Sequence, residues 1–117
     1  MAEGATRPLV ACLCAAWCGA CREYRPTFDA IAARLQGVAD FSWIDVEDES
    51  DALGDPDIEN FPTLLIANDA DALFLGPVTP QAQTAERLVR SALDGELAAL
   101  GGDAADLARR VRRIAGR

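Results

Sequence analysis

The sequence predicts an α/β layer fold: a central mixed sheet of about four strands flanked by helices. Three observations carry this reading. Apolar runs of strand length alternate with stretches whose apolar residues recur at helical spacing. The order is strand, helix, strand, irregular segment, strand, strand, helix and one more helix. A strand–helix–strand unit followed by a hairpin and a helix buries its apolar surface by layering helices on a sheet.

Leu9 to Ala16 is apolar and has the length of a buried strand. Tyr24, Phe28, Ile31 and Leu35 then recur at steps of four, three and four, one face of a helix that runs to Gln36 and stops at Gly37. Pro26 lies inside that pattern and predicts a bend. Phe41 to Val46 reads as the second strand. An acidic stretch follows from Glu47 to Glu59, broken by Gly54 and Pro56, with room for one helical turn. Thr63 to Ala67 and Ala72 to Leu75 read as a hairpin across the turn at Asn68 to Asp71. Thr79 and Pro80 read as N-cap and first residue of a helix with its stripe at Ala85, Leu88, Val89, Ala92 and Leu93. After Gly101 and Gly102, Asp103 reads as the cap of a last helix, with stripe Leu107, Val111 and Ile114 and arginines toward its end, where the helix dipole favours cations.

The chain of 117 residues fits one domain with a lean core. Half its residues are apolar and 26% charged, a globular profile. No run approaches the roughly 20 apolar residues of a membrane span. The opening MAEGATRPLV carries no secretory pattern, so the expected location is cytoplasmic. A net charge of −8 argues against a nucleic-acid partner. There is no His, which excludes Ser-His-Asp and Cys-His catalysis and His metal ligands. All 11 basic residues are Arg, and five of them fall in the last nine positions.

The chemistry concentrates at Cys18 and Cys21. A C-x-x-C pair between a strand and a helix places the first Cys at a helix N-terminus, where unpaired N–H groups and the dipole stabilise a thiolate. Cys18 can then attack a disulfide, and Cys21 can resolve the mixed disulfide. By itself C-x-x-C also fits a zinc half-site or two inert buried thiols; the strand before and the helix after favour redox chemistry.

With its neighbours the motif reads Ala16-Trp17-Cys18-Gly19-Ala20-Cys21-Arg22, which resembles the active site of the thioredoxin family. Pro26 matches the family's helix-kinking proline, Phe61-Pro62-Thr63 its cis-proline loop, and Gly76 its glycine near the same surface. The resemblance runs from about residue 8 to residue 94, the span of the elements it matches. It implies that Cys18 is the exposed nucleophile and Cys21 the buried resolving thiol. Trp17, Gly19, Ala20, Phe61, Pro62 and Gly76 then line the substrate surface, with a cis peptide bond before Pro62. The backbone of Phe61 is implied to pair with an extended substrate segment, as in strand addition. Implied as well are protein disulfides as substrates, a thioredoxin reductase or glutathione as electron donor, and no bound cofactor or metal.

Three departures stand out. Ala20 occupies a place where the family usually has Pro. Cys12, six residues before Cys18, stands where the family has a buried acid, and the companion Lys is absent; water or a nearby acid such as Asp45 is the candidate substitute as proton acceptor for Cys21. The seven residues before Pro8 cannot make the family's usual first strand and helix, so a shortened fold is expected: a thioredoxin-like domain over 1–100 and an Arg-rich helical extension over 101–117. Without that first strand the second strand becomes a sheet edge, which leaves room for a homodimer. The favoured expectation for the last helix is docking on the body in place of that segment; the alternatives are pairing with a second chain and binding an acidic partner or an anionic lipid surface.

Cys12 and Cys14 lie two apart on a strand and so share a face. The favoured reading is small buried hydrophobes. The alternatives are a four-thiol metal site and Cys12 as a backup partner for Cys21.

Overall fold

The computed structural model describes residues 7–54, 58, 60–69 and 71–116. Its elements are β1 (Leu9–Cys14), α1 (Gly19–Arg34), β2 (Asp40–Asp45), α2 (Ser50–Leu53), β3 (Thr63–Ala67), β4 (Ala72–Pro77), α3 (Ala82–Leu93) and α4 (Gly102–Ala115). The sheet order is β2-β1-β3-β4. β2 runs parallel to β1, whereas β3 is antiparallel to both β1 and β4. This is the mixed four-stranded sheet flanked by helices that the sequence predicts. Pro56, one of the two expected breakers of the acidic segment, lies outside the described residues.

Both faces of β1 are buried, which is why it reads LVACLC without polar alternation. Its even-numbered side chains, Val10, Cys12 and Cys14, join Leu64 and Ile66 beneath α1 and α3. Its odd-numbered ones, Leu9, Ala11 and Leu13, join Leu65 and Ala67 beneath α2 and α4. Burying a side chain such as Leu13 or Leu65 contributes about 1.5–3 kcal/mol. α1 presents Cys21, Tyr24, Phe28 and Ile31 to the first of these cores.

The third helix starts later than Thr79-Pro80 predicts. α3 begins at Ala82 with Gln81 as N-cap. The Thr79 hydroxyl instead meets that of Thr84 at 3.0 Å. At its other end the amides of Gly95 and Glu96 donate to the carbonyls of Ala92 and Ser91. That pattern is a Schellman close, and Gly95 takes the left-handed φ of 74° it requires. Likewise α4 is capped by Gly101, with Asp103 in its first turn rather than at the cap.

The last helix docks on the body. Leu107, Ala108 and Val111 are buried in the second core. The Arg112 guanidinium donates to the carbonyls of Asn68 and Ala67 at 2.9 and 3.2 Å, fastening the helix to the end of β3. Gly54, in the left-handed region at φ 74°, closes α2 directly under Arg110. Arg25 stacks its guanidinium 4.7 Å from the Trp43 ring centroid, covering part of the β2 edge.

Candidate active site

β1 ends at Cys14, two residues before the predicted end, because the chain turns there: the Cys18 amide donates to the Ala15 carbonyl at 3.0 Å. The turn delivers Cys18 as the extended N-cap of α1, at φ −87° and ψ 115°. The amides of Cys21 and Ala20 face its sulfur without a short capping bond. The Cys18 thiol is held below the ordinary value of 9.0, foremost by the backbone N–H of Cys21. Desolvation opposes this; the Cys21 thiol, the Ala20 N–H and the Arg22 charge reinforce it. Arg22 is held near by its own hydrogen bond to the Ala16 carbonyl at 2.9 Å.

Cys21 lies one helical turn on, only 1% exposed. Burial pushes its thiol up from 9.0, and hydrogen bonding to Cys14 pushes it further. The Ala15 backbone acts in the opposite direction. The pair is therefore asymmetric: one accessible sulfur that favours the thiolate, one buried sulfur that keeps its proton.

Cys14 was not among the residues the sequence singles out as partners of Cys21. Counting back from Cys18 points to Cys12, but the thiol in contact with Cys21 is Cys14, and Cys12 lies one step deeper, its Sγ 3.6 Å from that of Cys14. The Cys14 thiol is raised as well, first by its hydrogen bond to Cys12 and then by burial. The Asp45 Oδ1 accepts the amides of Glu47 and Asp48 at 2.9 and 3.2 Å, so the carboxylate closes its own turn. Among the described residues no group of three or more His, Cys, Asp or Glu is placed to hold a metal ion.

The remaining predicted residues surround the pair unevenly. Trp17 is 64% exposed and stands edge-on to Phe61, with ring centroids 5.7 Å apart. Gly19 and Ala20 are exposed in the first turn of α1. The Phe61–Pro62 peptide bond is cis. The Pro62 carbonyl accepts the Val78 amide, and the Thr63 hydroxyl donates to the Asn60 carbonyl, so the loop is tied at both ends. Gly76 lies inside β4 rather than after it, opposite Leu64, where an added Cβ would come within 3.3 Å of the Phe74 ring. The strand thus runs two residues past the predicted Leu75.

The fold and this paired-cysteine turn define a thiol–disulfide type of protein. The thioredoxin family profile matches residues 2–91, and the chain belongs to that family. Protein disulfide isomerase-like 1-3 of Arabidopsis thaliana is 37% identical over 57 residues, covering 49% of this chain and 10% of that protein. The thioredoxin of Staphylococcus aureus is 31% identical over 55 residues, covering 47% of this chain and 53% of the relative. The chain thus spans a tenth of one relative and about half of the other. Among solved structures, the germline-specific thioredoxin Deadhead of Drosophila melanogaster superposes with a TM-score of 0.65 at 19% identity, over 74% of this chain and 81% of that one. The thioredoxin of Fasciola hepatica gives 0.64 at 21% identity, over 73% and 80%. These likenesses establish the fold. No helix among the described residues is long and apolar enough to cross a membrane.

Proposed function

We propose that the chain is a thiol–disulfide oxidoreductase that reduces or exchanges protein disulfides through Cys18 and Cys21. The observation that carries this is the asymmetry of the pair. The Cys18 thiolate attacks one sulfur of a substrate disulfide, forms a mixed disulfide and expels the substrate's other sulfur as a thiolate. Cys21 then gives up its proton and attacks Cys18 Sγ. The substrate leaves as a dithiol and Cys18–Cys21 becomes the disulfide, so two electrons pass to the substrate. A thioredoxin reductase or glutathione resets the pair; no cofactor need be held. The proposed setting is cytoplasmic, and the surface of Trp17, Phe61 and Pro62 is the proposed seat of an extended protein segment.

One observation favours a second reading, a weakly active protein-binding module. Cys21 is held protonated by burial and by Cys14, and Asp45 is engaged elsewhere, so the resolving step is slow. Steady-state reduction of insulin disulfides separates the two. Turnover that disappears in Cys18→Ser supports the oxidoreductase; binding of insulin with no turnover in the wild type supports the module.

A further inference from the structure

Four cysteines stand in a row at this end of the sheet, and the chemistry above uses two. We propose that Cys14 is a second disulfide partner of Cys21, so that the Cys18–Cys21 disulfide exchanges inward to a buried Cys14–Cys21 disulfide. This rests on the dithiol reading of Cys18 and Cys21.

The placement comes from the fold. Cys14 is the last residue of β1, one position beyond Leu13, where the ladder with β3 ends, and it lies at the same end of the sheet as the dithiol turn. It shares a face with Cys12 and points under α1. Cys21, in the first turn of α1, is buried in the same core cluster as Cys14, with Cys18 packed against that cluster. Side-chain hydrogen bonds link the Cys21 thiol to both Cys14 and Cys18. A central sulfur flanked by two others is the arrangement that thiol–disulfide exchange passes through. Both Cys14 and Cys21 are nearly devoid of solvent contact, so the product disulfide is shielded from external thiols.

Cys12 is a poor disulfide partner for Cys14. It is two residues away on one strand, and at about 3.3 Å rise per residue their Cα atoms lie near the upper limit for a disulfide, with parallel Cβ vectors. The Cys21 thiol hydrogen-bonds to Cys14, whereas Cys12 meets Cys14. A second feature marks the same pocket. The Tyr24 hydroxyl is buried with no hydrogen-bond partner among the described residues, close enough to feel charge on Cys12 and Cys14. A buried hydroxyl left without a partner costs stability.

The step balances internally. Cys14 Sγ attacks Cys21 Sγ; the Cys14–Cys21 bond forms as the Cys21–Cys18 bond breaks, and the electron pair leaves on Cys18. The proton of Cys14 passes to Cys18 or to solvent. One disulfide is consumed and one is made, with no outside oxidant. Cys18 is the better leaving group, because the amides of α1 stabilise its thiolate. The result is a chain that keeps its oxidising equivalent inside while its nucleophile is free again.

The test uses the full chain equilibrated in glutathione buffers, acid-quenched and labelled with one alkylating reagent before reduction and another after it. Trypsin leaves all four cysteines on one peptide, since no Lys or Arg falls between Cys12 and Cys21, so fragmentation reads each position. Cys14→Ala tests the underlying reading: there Cys18 and Cys21 must exchange label together. The inference is tested in the wild type, where Cys18 remains as the entry point for the oxidising equivalent, and, as a second variant, in Cys12→Ser. The expected result is a population in which Cys14 and Cys21 exchange label together while Cys18 carries the first label, in a protein of unchanged intact mass apart from the loss of two hydrogens. Cys14 staying free at every buffer ratio, or Cys12 pairing with Cys21, overturns the inference while leaving the Cys14→Ala result standing.

Discussion

The indole of Trp17 meets the ring of Phe61 edge-on, with centroids 5.7 Å apart and planes at 88°, and so joins the turn that carries Cys18 to the loop that carries Pro62. Edge-on aromatic pairs contribute about 0.5–1.5 kcal/mol beyond the area they bury. Trp17 is largely exposed, so this contact serves the shape of the surface more than the stability of the fold. Trp17→Ala should therefore change the urea midpoint little, by less than about 1 kcal/mol. It should raise KM for a protein disulfide about two- to tenfold, the equivalent of that aromatic contact, while kcat for a small disulfide is retained. Steady-state kinetics with insulin and with a small aromatic disulfide provide the comparison.

Ala20 supplies a backbone N–H that faces Cys18 Sγ. Proline in its place has no N–H to offer. Ala20→Pro should shift the pH profile of Cys18 alkylation upward, toward the ordinary thiol value of 9.0. The main donor, the Cys21 amide, stays in place, so the shift should be partial. Iodoacetamide rates between pH 5 and pH 10, read by mass spectrometry at Cys18, measure it; an unchanged profile would show that this amide plays no part.

The buried thiols and Tyr24 give stability a defined pH dependence. Cys14 and Cys21 are raised above 9.0 in the fold, and burial pushes the Tyr24 hydroxyl up to about 12. Once the pH passes 9 for the two thiols, and 10 for Tyr24, the unfolded chain loses these protons while the folded chain keeps them. The reduced protein should thus lose stability as pH rises from 9, with a limiting slope of about 1.4 kcal/mol per pH unit for each such group. Cys18 acts in the opposite sense at lower pH: its depressed value adds stability above 9.0 that is lost as pH falls through the folded value. Urea midpoints of the reduced protein from pH 6 to pH 11 check both signs, and Cys14→Ala should make the alkaline limb shallower.

The last helix is part of the core, since Leu107 and Val111 complete the face of the sheet opposite α1. Leu107→Ala should cost about 2–3 kcal/mol, near the low end for a buried Leu because the residue touches solvent at one edge. Denaturant unfolding followed by Trp fluorescence reads the loss.

Most of the elements were legible from periodicity and turn residues. β3 occupies the predicted Thr63–Ala67, because a continuous apolar run bounded by Pro62 and Asn68 leaves little choice of register. The Tyr24–Phe28–Ile31–Leu35 stripe places α1 for the same reason. The start of α3 was misread because Thr79-Pro80 has the composition of a cap, yet the Val78 amide is drawn to the Pro62 carbonyl and holds this stretch to the hairpin. The neighbour of Cys21 was misplaced by one strand step. Parity along β1 says that Cys12 and Cys14 share a face, but which of them lies level with the first turn of α1 depends on how the helix crosses the sheet. No local pattern carries that. The stacking of Arg25 on Trp43 and the orphan hydroxyl of Tyr24 were hidden for the same reason.

The measurement that bears most directly on the oxidoreductase assignment is trapping of the mixed disulfide in two single variants. With Cys21→Ser, a disulfide-containing protein should accumulate bound covalently to Cys18, and turnover should stop. With Cys18→Ser, no such adduct and no turnover should be seen, since Cys21 is buried and protonated. An adduct through Cys21 in the Cys18→Ser variant, or undiminished insulin reduction by it, would contradict the assignment of Cys18 as the nucleophile.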